Sequence, residues 1–223
     1  WTAGASNKIW AVGPEPTTTS VQNNKSDDQE DHQPSCILVD STFGLQIPQD
    51  FRDNLVAAFL QVSREGILVN SPMRGVRFDL VDAKFHADTA HRRPNVVVPA
   101  AARAMKGAVL LAEPALVEPV YRVDIITGDA MLNGAYAEIG LRSGVVIDAS
   151  ETSIQALVPV RRSMGIGDAM RFATQGHAHT STIYHGMKFV PPVEMASVLR
   201  EARLRKGLEE GLPGPEAFLD KMQ

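Results

Sequence analysis

The sequence holds a single cysteine, Cys36, among 223 residues. One cysteine cannot close an internal disulfide, and no Cys/His spacing of the zinc-site kind accompanies it, so a reducing compartment is the simplest expectation. No apolar run approaches the roughly 20 residues that a bilayer span takes. The opening residues lack the basic-then-apolar order of a secretory signal. They also lack an initial Met, and the chain reads as a piece of a longer protein. No G-x-x-x-x-G-K-[ST] segment is present, so nothing cradles nucleotide phosphates in the P-loop manner. No serine has a G-x-S-x-G context and Cys36 has no evident basic pocket, so nucleophilic catalysis is without a signal. No catalytic residue is assigned. An excess of positive charge is missing too: 22 Lys and Arg stand against 26 Asp and Glu, a net charge of −4. That excludes a chain that coats nucleic acid all over, because phosphate binding accumulates with basic residues. Any RNA contact must be local.

What is present is enough to fold. Hydrophobic residues make up 44% of the chain, sufficient for a core in one large domain or two small ones. Residues 15–35 are polar, partly acidic and nearly free of large apolar side chains, so little offsets the entropy of ordering them. They read as a flexible insertion, either solvated or serving as an acidic docking segment for a protein. Phe51, Leu55, Val56, Phe59 and Val62 recur at helical spacing and predict a helix over 51–64. Residues 74–81 alternate as a half-buried strand does, with Val76, Phe78 and Leu80 on one face. A projecting loop is expected over 86–95. Pro99 suits the first turn of the next helix, 100–111. Pro114 and Pro119 then bracket a linker.

After Pro119 the pattern changes. Strands are expected over 120–126, 144–149, 153–160 and 180–190, with helices over 130–141 and 167–173. That is the β-α-β-β-α-β order of a ferredoxin-like sandwich, so residues 119–190 form a second domain. Beyond Pro191-Pro192, residues 194–206 alternate acids and bases around an apolar stripe of Met195, Val198, Leu199 and Ala202. This surface helix should end at Gly207.

Histidines invite a metal reading, which their spacing disfavours. His86 and His91 would lie about 140° apart on a helix at five residues' separation, unlike the i,i+4 pair of H-E-x-x-H. His177, His179 and His185 share strand parity, yet six residues of strand place the last about 20 Å beyond the second. No metal ligand is assigned. The loop is different: Lys84, His86, His91, Arg92 and Arg93 gather cationic and titratable groups around Asp88. Such a patch suits RNA phosphate or bases, against the plain alternative of a solvated loop.

Four stretches carry a resemblance: KIWAVGPE (8–15), RGVRFDLVDAKFHADTAHR (74–92), LLAEPALVEPVYRVDI (110–125) and RLRKGLEEGLPGPEAFLDK (203–221). Together, and in order, they resemble eukaryotic elongation factor 2. The resemblance is interrupted at 15–35 and weaker between Gly128 and Thr182. It implies an α+β chain with two domains. The first is the family's domain IV, a βαβ-crossover module resembling ribosomal proteins, over 1–118 with 191–223 returning to it. The second is the ferredoxin-like domain V over 119–190.

The resemblance further implies a GTPase that promotes ribosomal translocation, its GTP and Mg sites lying in N-terminal domains outside these residues, where no cofactor is expected. The implied partners are ribosomal RNA, tRNA and mRNA at the decoding region, met by a loop of Lys84, His86, Asp88, His91, Arg92 and Arg93. Membrane and DNA are not among them, and the implied compartment is the cytoplasm. His91 falls on the histidine converted to diphthamide and attacked by ADP-ribosylating toxins. The family usually follows that His-Arg with glycines and a glutamine, whereas here Arg93-Pro94-Asn95-Val96 follow. Glycine reaches backbone angles that Arg and Val avoid, so the tip is expected to take another shape. An alternative is the spliceosomal GTPase that resembles elongation factor 2, a nuclear scaffold. Val39, Asp40 and Thr42, the TQG of 174–176, the altered tip and the acidic insertion favour it. A related ribosome-assembly GTPase is a third reading, which the His-Ala-Asp segment argues against.

Overall fold

A run of buried apolar residues, Cys36, Ile37, Leu38 and Val39, sets the centre of the first sheet, as expected for a strand covered on both sides. The computed structural model describes residues 8–14 and 35–218. The expected acidic insertion and most of the F-L-D-K ending therefore lie outside the described residues. Backbone contacts divide the chain into two units, one running to Pro114 and resuming at Ala196, the other Ala115–Met195. The architecture is mixed α+β with two sheets.

In the first unit β2 (Cys36–Asp40) lies between β1 (Ile9–Gly13), antiparallel to it, and β3 (Arg77–Leu80), parallel to it. Helix α1 (Gln49–Arg64) makes the crossover that a parallel pair requires. Of its expected stripe Phe51, Leu55, Phe59 and Val62 are buried, with Phe59 edge-on to Phe78, and Val56 is half-buried at the core's margin. Ala102 and Val109 of α2 (Pro94–Leu111) close the same core. Burial pushes the Cys36 thiol up, although the hydrogen bond with the Val76 backbone works the other way, so this cysteine is a small core residue rather than a nucleophile.

The start of α2 corrects the expectation. The helix begins at Pro94, and Pro99 lies inside it. Pro94 takes the position where a missing N–H costs nothing. Arg93 before it holds φ −66° and ψ 152°, the extended region to which proline confines its predecessor. The run Val96-Val97-Val98 is β-branched and has low helix propensity, but Val97 is buried with Phe51 and Leu55. Burying one valine is worth about 1.5–3 kcal/mol, against a few tenths per β-branched residue in propensity. Pro99 withholds an N–H from the carbonyl of Asn95, and Asn95 is exposed, so water can satisfy that group.

The second unit is an antiparallel sheet in the order β5-β6-β4-β7, made by β4 (Val117–Ile126), β5 (Val145–Ala149), β6 (Ser153–Pro159) and β7 (His179–Phe189). Helices α3 (Leu132–Leu141) and α5 (Ile166–Ala173) join them in the split βαβ order that the sequence predicts, with a one-turn α4 (Val160–Ser163) between β6 and α5. Val123, Ile125, Ile154, Ala156 and Val158 meet Ala135, Ile139 and Met170 in the core. Pro119 is a second correction, because it lies within β4 rather than in a linker. It pairs with Met187 of β7, but the register with β6 begins only at Val120, so the proline occupies a stretch with one neighbour, where a missing donor is tolerated. Arg161 binds Glu118 through its Nε at 2.7 Å and also pairs with Glu194. Burial works against its charge, but those two carboxylates outweigh it and raise its pKa.

Helix α6 (Pro192–Arg205) ends as predicted. Gly207 has φ +67°, and Leu208 N–H reaches the Arg203 carbonyl at 2.9 Å while Gly207 N–H reaches Leu204 at 3.0 Å, the Schellman pattern. The sequence does not reveal that Arg203 is buried. Its guanidinium donates to the carbonyls of Ile67 (3.4 Å), Leu68 (2.6 Å), Glu209 (2.6 Å) and Gly211 (3.1 Å).

Candidate nucleic-acid interface

Because β2 and β3 are parallel and in register from Ile37↔Arg77 to Asp40↔Leu80, both release the chain at the same end of the sheet. Two loops therefore leave side by side, 41–48 after β2 and 81–93 after β3. Their bases are joined: Ser41 N–H donates to the Leu80 carbonyl at 2.9 Å and Ser41 Oγ to Asp79 Oδ1 at 2.8 Å. Hydrogen bonds from Arg77 and Ser41 hold the Asp79 carboxyl below its ordinary pKa, despite some burial. Ile47 of one loop and Ala83 and Phe85 of the other share an apolar cluster with Phe51, and the Phe85 and Phe51 ring centroids lie 5.1 Å apart.

The second loop is braced from within. Asp88 caps a 3₁₀ turn over Thr89–Arg92, its Oδ1 accepting from Ala90 N–H at 3.0 Å. His86 Nδ1 accepts from Asp88 N–H at 3.1 Å, which leaves the proton of the neutral ring on Nε2. The His86 and His91 rings meet with centroids 4.5 Å apart. Helical geometry had separated them, but residues 86–88 are not helical, and the turn folds one ring back on the other. Among the described residues no group of three or more His, Cys, Asp or Glu could hold a metal ion.

The cations divide into two kinds. Arg92 is only 12% exposed, and its Nε binds Asp50 Oδ2 of α1 at 3.1 Å while Nη1 reaches the His86 carbonyl at 3.4 Å. Asn54 of α1 donates to the Arg92 carbonyl at 2.9 Å. Arg92 thus tethers the turn, with much of its charge engaged. Lys84 and Arg93 are exposed, have no ion-pair partner among the described residues, and remain available to an anion. His86, Asp88 and His91 are exposed as well. Elsewhere, His177, His179 and His185 are exposed, and β7 is irregular at His185, where its register with β4 jumps from Tyr121↔Tyr184 to Val120↔Gly186.

Compared with known families, residues 1–113 match elongation factor G, domain IV, and residues 115–198 match the elongation factor G C-terminus. The chain belongs to the elongation factor G family. The turn carrying His91 falls in the domain IV match, and the ferredoxin-like sheet in the elongation factor G C-terminal match. Sequence reading missed two features of the domain IV loops. Asp50 and Asn54 belong to no motif and to no part of the apolar stripe, and Asn54 is nonetheless buried. Phe43 has no periodic partners. Its only signal is a lone aromatic among Ser, Thr and Gly.

Proposed function

We propose that the chain is the ribosome-reaching part of a translation factor similar to eukaryotic elongation factor 2. In this reading it promotes translocation of tRNA and mRNA, with the His91 turn meeting RNA at the decoding region. GTP and Mg act in N-terminal domains of the whole protein, which works in the cytoplasm. His91 carries diphthamide, and residues 15–35 engage protein partners. The observation that carries the reading is the exposed His91 on a short turn held by Asp88, Asn54 and the Arg92–Asp50 pair. An exposed histidine at a stiff tip can stack on bases, and an added cationic group would strengthen phosphate contact.

Peptide mass spectrometry over residues 85–93 of the natively expressed protein tests the modification, and ribosome co-sedimentation tests the binding. The expected results are a diphthamide mass on His91 and ribosome association. An unmodified His91 in a host that makes diphthamide, together with no association, would overturn the reading. The replacement of glycines by Arg93-Pro94, which begins α2 directly after the turn, favours a second reading, the scaffold region of a spliceosomal GTPase. That reading predicts copurification with small nuclear ribonucleoprotein components, and their absence would remove it.

A further inference from the structure

The loop over 41–48 holds a side chain that does nothing for the fold. Phe43 is fully exposed at 102% of its reference surface, the most exposed of the large hydrophobic residues described. Its backbone is nonetheless well held. Thr42 N–H and Oγ1 both bond Asp40 Oδ1, at 2.9 and 2.7 Å. Ser41 is fixed to Asp79 and Leu80, and Gly44 turns the chain with φ +71° in open space. The ring is thus presented on a bend, between Thr42 and Gly44.

Nothing in the first unit's core requires it, since Ile47 anchors this loop. A lone exposed phenylalanine needs no partner on its own account; what distinguishes Phe43 is the braced turn and the loop next to its own. Its loop is joined at the base and through Ile47 to the 81–93 loop, which carries the exposed His86–His91 ring pair and the available cations Lys84 and Arg93. Aromatic faces interleaved with a few cations form a platform for unpaired bases, which stack on rings whatever their sequence while cations meet the backbone. A protein-binding patch would instead gather contiguous apolar surface, whereas the immediate neighbours of Phe43 are Thr42 and Gly44, and Leu45 beyond them is half-buried.

We propose that Phe43 is a second RNA-contacting residue of this tip, stacking its ring on an unpaired nucleobase beside the one met by the His91 turn. The proposal rests on the ribosome-binding reading above. It makes the tip a two-loop device, in which the 41–48 loop adds a stacking ring to the histidine rings and cations of the 81–93 loop.

The test is equilibrium binding of the whole chain to small ribosomal subunits carrying mRNA and tRNA, comparing wild type with Phe43→Ala, Phe43→Leu and Phe43→Trp. All three variants should melt like wild type, because the ring is outside the core. Alanine and leucine are expected to weaken binding on the order of 10- to 100-fold, and tryptophan to keep it within about threefold, as for loss or retention of one base–aromatic stack. Should leucine bind as well as phenylalanine, the ring is covered by an apolar protein surface and the stacking proposal falls. Should alanine bind as wild type does, the ring makes no contact and the proposal falls while the ribosome reading stands. Should wild type itself not bind, the ribosome reading fails, and the proposal with it.

Discussion

Two adjacent arginines, Arg92 and Arg93, look alike in the sequence and have different work. Arg92 is held by Asp50 and carries the carbonyl that Asn54 grips, whereas Arg93 is exposed. Arg92→Ala should therefore loosen the turn, speeding amide hydrogen exchange at Ala90 and His91, while costing no more than about 1 kcal/mol because Asp50 is partly solvated. Arg93→Ala should leave exchange unchanged and weaken only binding to RNA. Equal exchange rates in the two variants would mean that the tether does not stiffen the loop. The sequence showed both arginines and both histidines, but not this division. The partners of Arg92 lie 42 and 38 residues away on α1, and no periodicity reports a contact between a loop and a helix's polar residues.

At the scale of elements, Gly134 in α3 is the sharpest case. Glycine inside a helix is ordinarily worse than alanine by roughly 0.5–1 kcal/mol, so Gly134→Ala would be expected to stabilise. Here a Cβ would lie 2.4 Å from the Ala173 carbonyl oxygen at the end of α5, a backbone atom that cannot swing aside. The clash outweighs the propensity gain, and thermal unfolding of Gly134→Ala should begin at a lower temperature than wild type. An unchanged or higher melting temperature would show that α5 yields.

Acid should act on the carboxylate that α6 contributes to the second unit. Hydrogen bonds from Ser143 and Arg161 hold Glu194 below its ordinary value of 4.5. A lowered carboxylate stabilises the folded state fully above the unfolded value, and that stabilisation is lost as pH falls through the folded one. Unfolding followed from pH 6 downward should therefore show stability declining below about 4.5, with a shallower decline in Glu194→Gln. Parallel curves would contradict the link.

Element order was readable where burial gives clean alternation, as in β4 and β6, or helical spacing, as in α1. The prolines were misplaced because their cost depends on neighbours that sequence does not show. Pro99 and Pro119 both occupy sites where the missing N–H leaves no buried group unpaired. β1 was not read as a strand from the sequence, and its bulge between Ile9 and Ala11 breaks the alternation that would have marked it.

For the molecule as a whole, net charge −4 limits how RNA can be held. If Lys84 and Arg93 are the cations that meet phosphate, about two counterions are released, and log affinity should fall with log salt at a slope of roughly −1.4 on single-stranded RNA. Subunit binding measured between 50 and 200 mM salt checks this. A slope several times steeper would require another basic surface.

The clasp made by Arg203 bears on the order in which the chain can finish folding as it is synthesised. The second unit is continuous from Ala115 to Met195, so every residue it needs has been made before the first unit's last helix is complete. The first unit must wait: the carbonyls of Ile67 and Leu68 stay without their guanidinium until a residue more than 130 positions later emerges. Domains made early generally fold early, and here the part made first is the part that closes last.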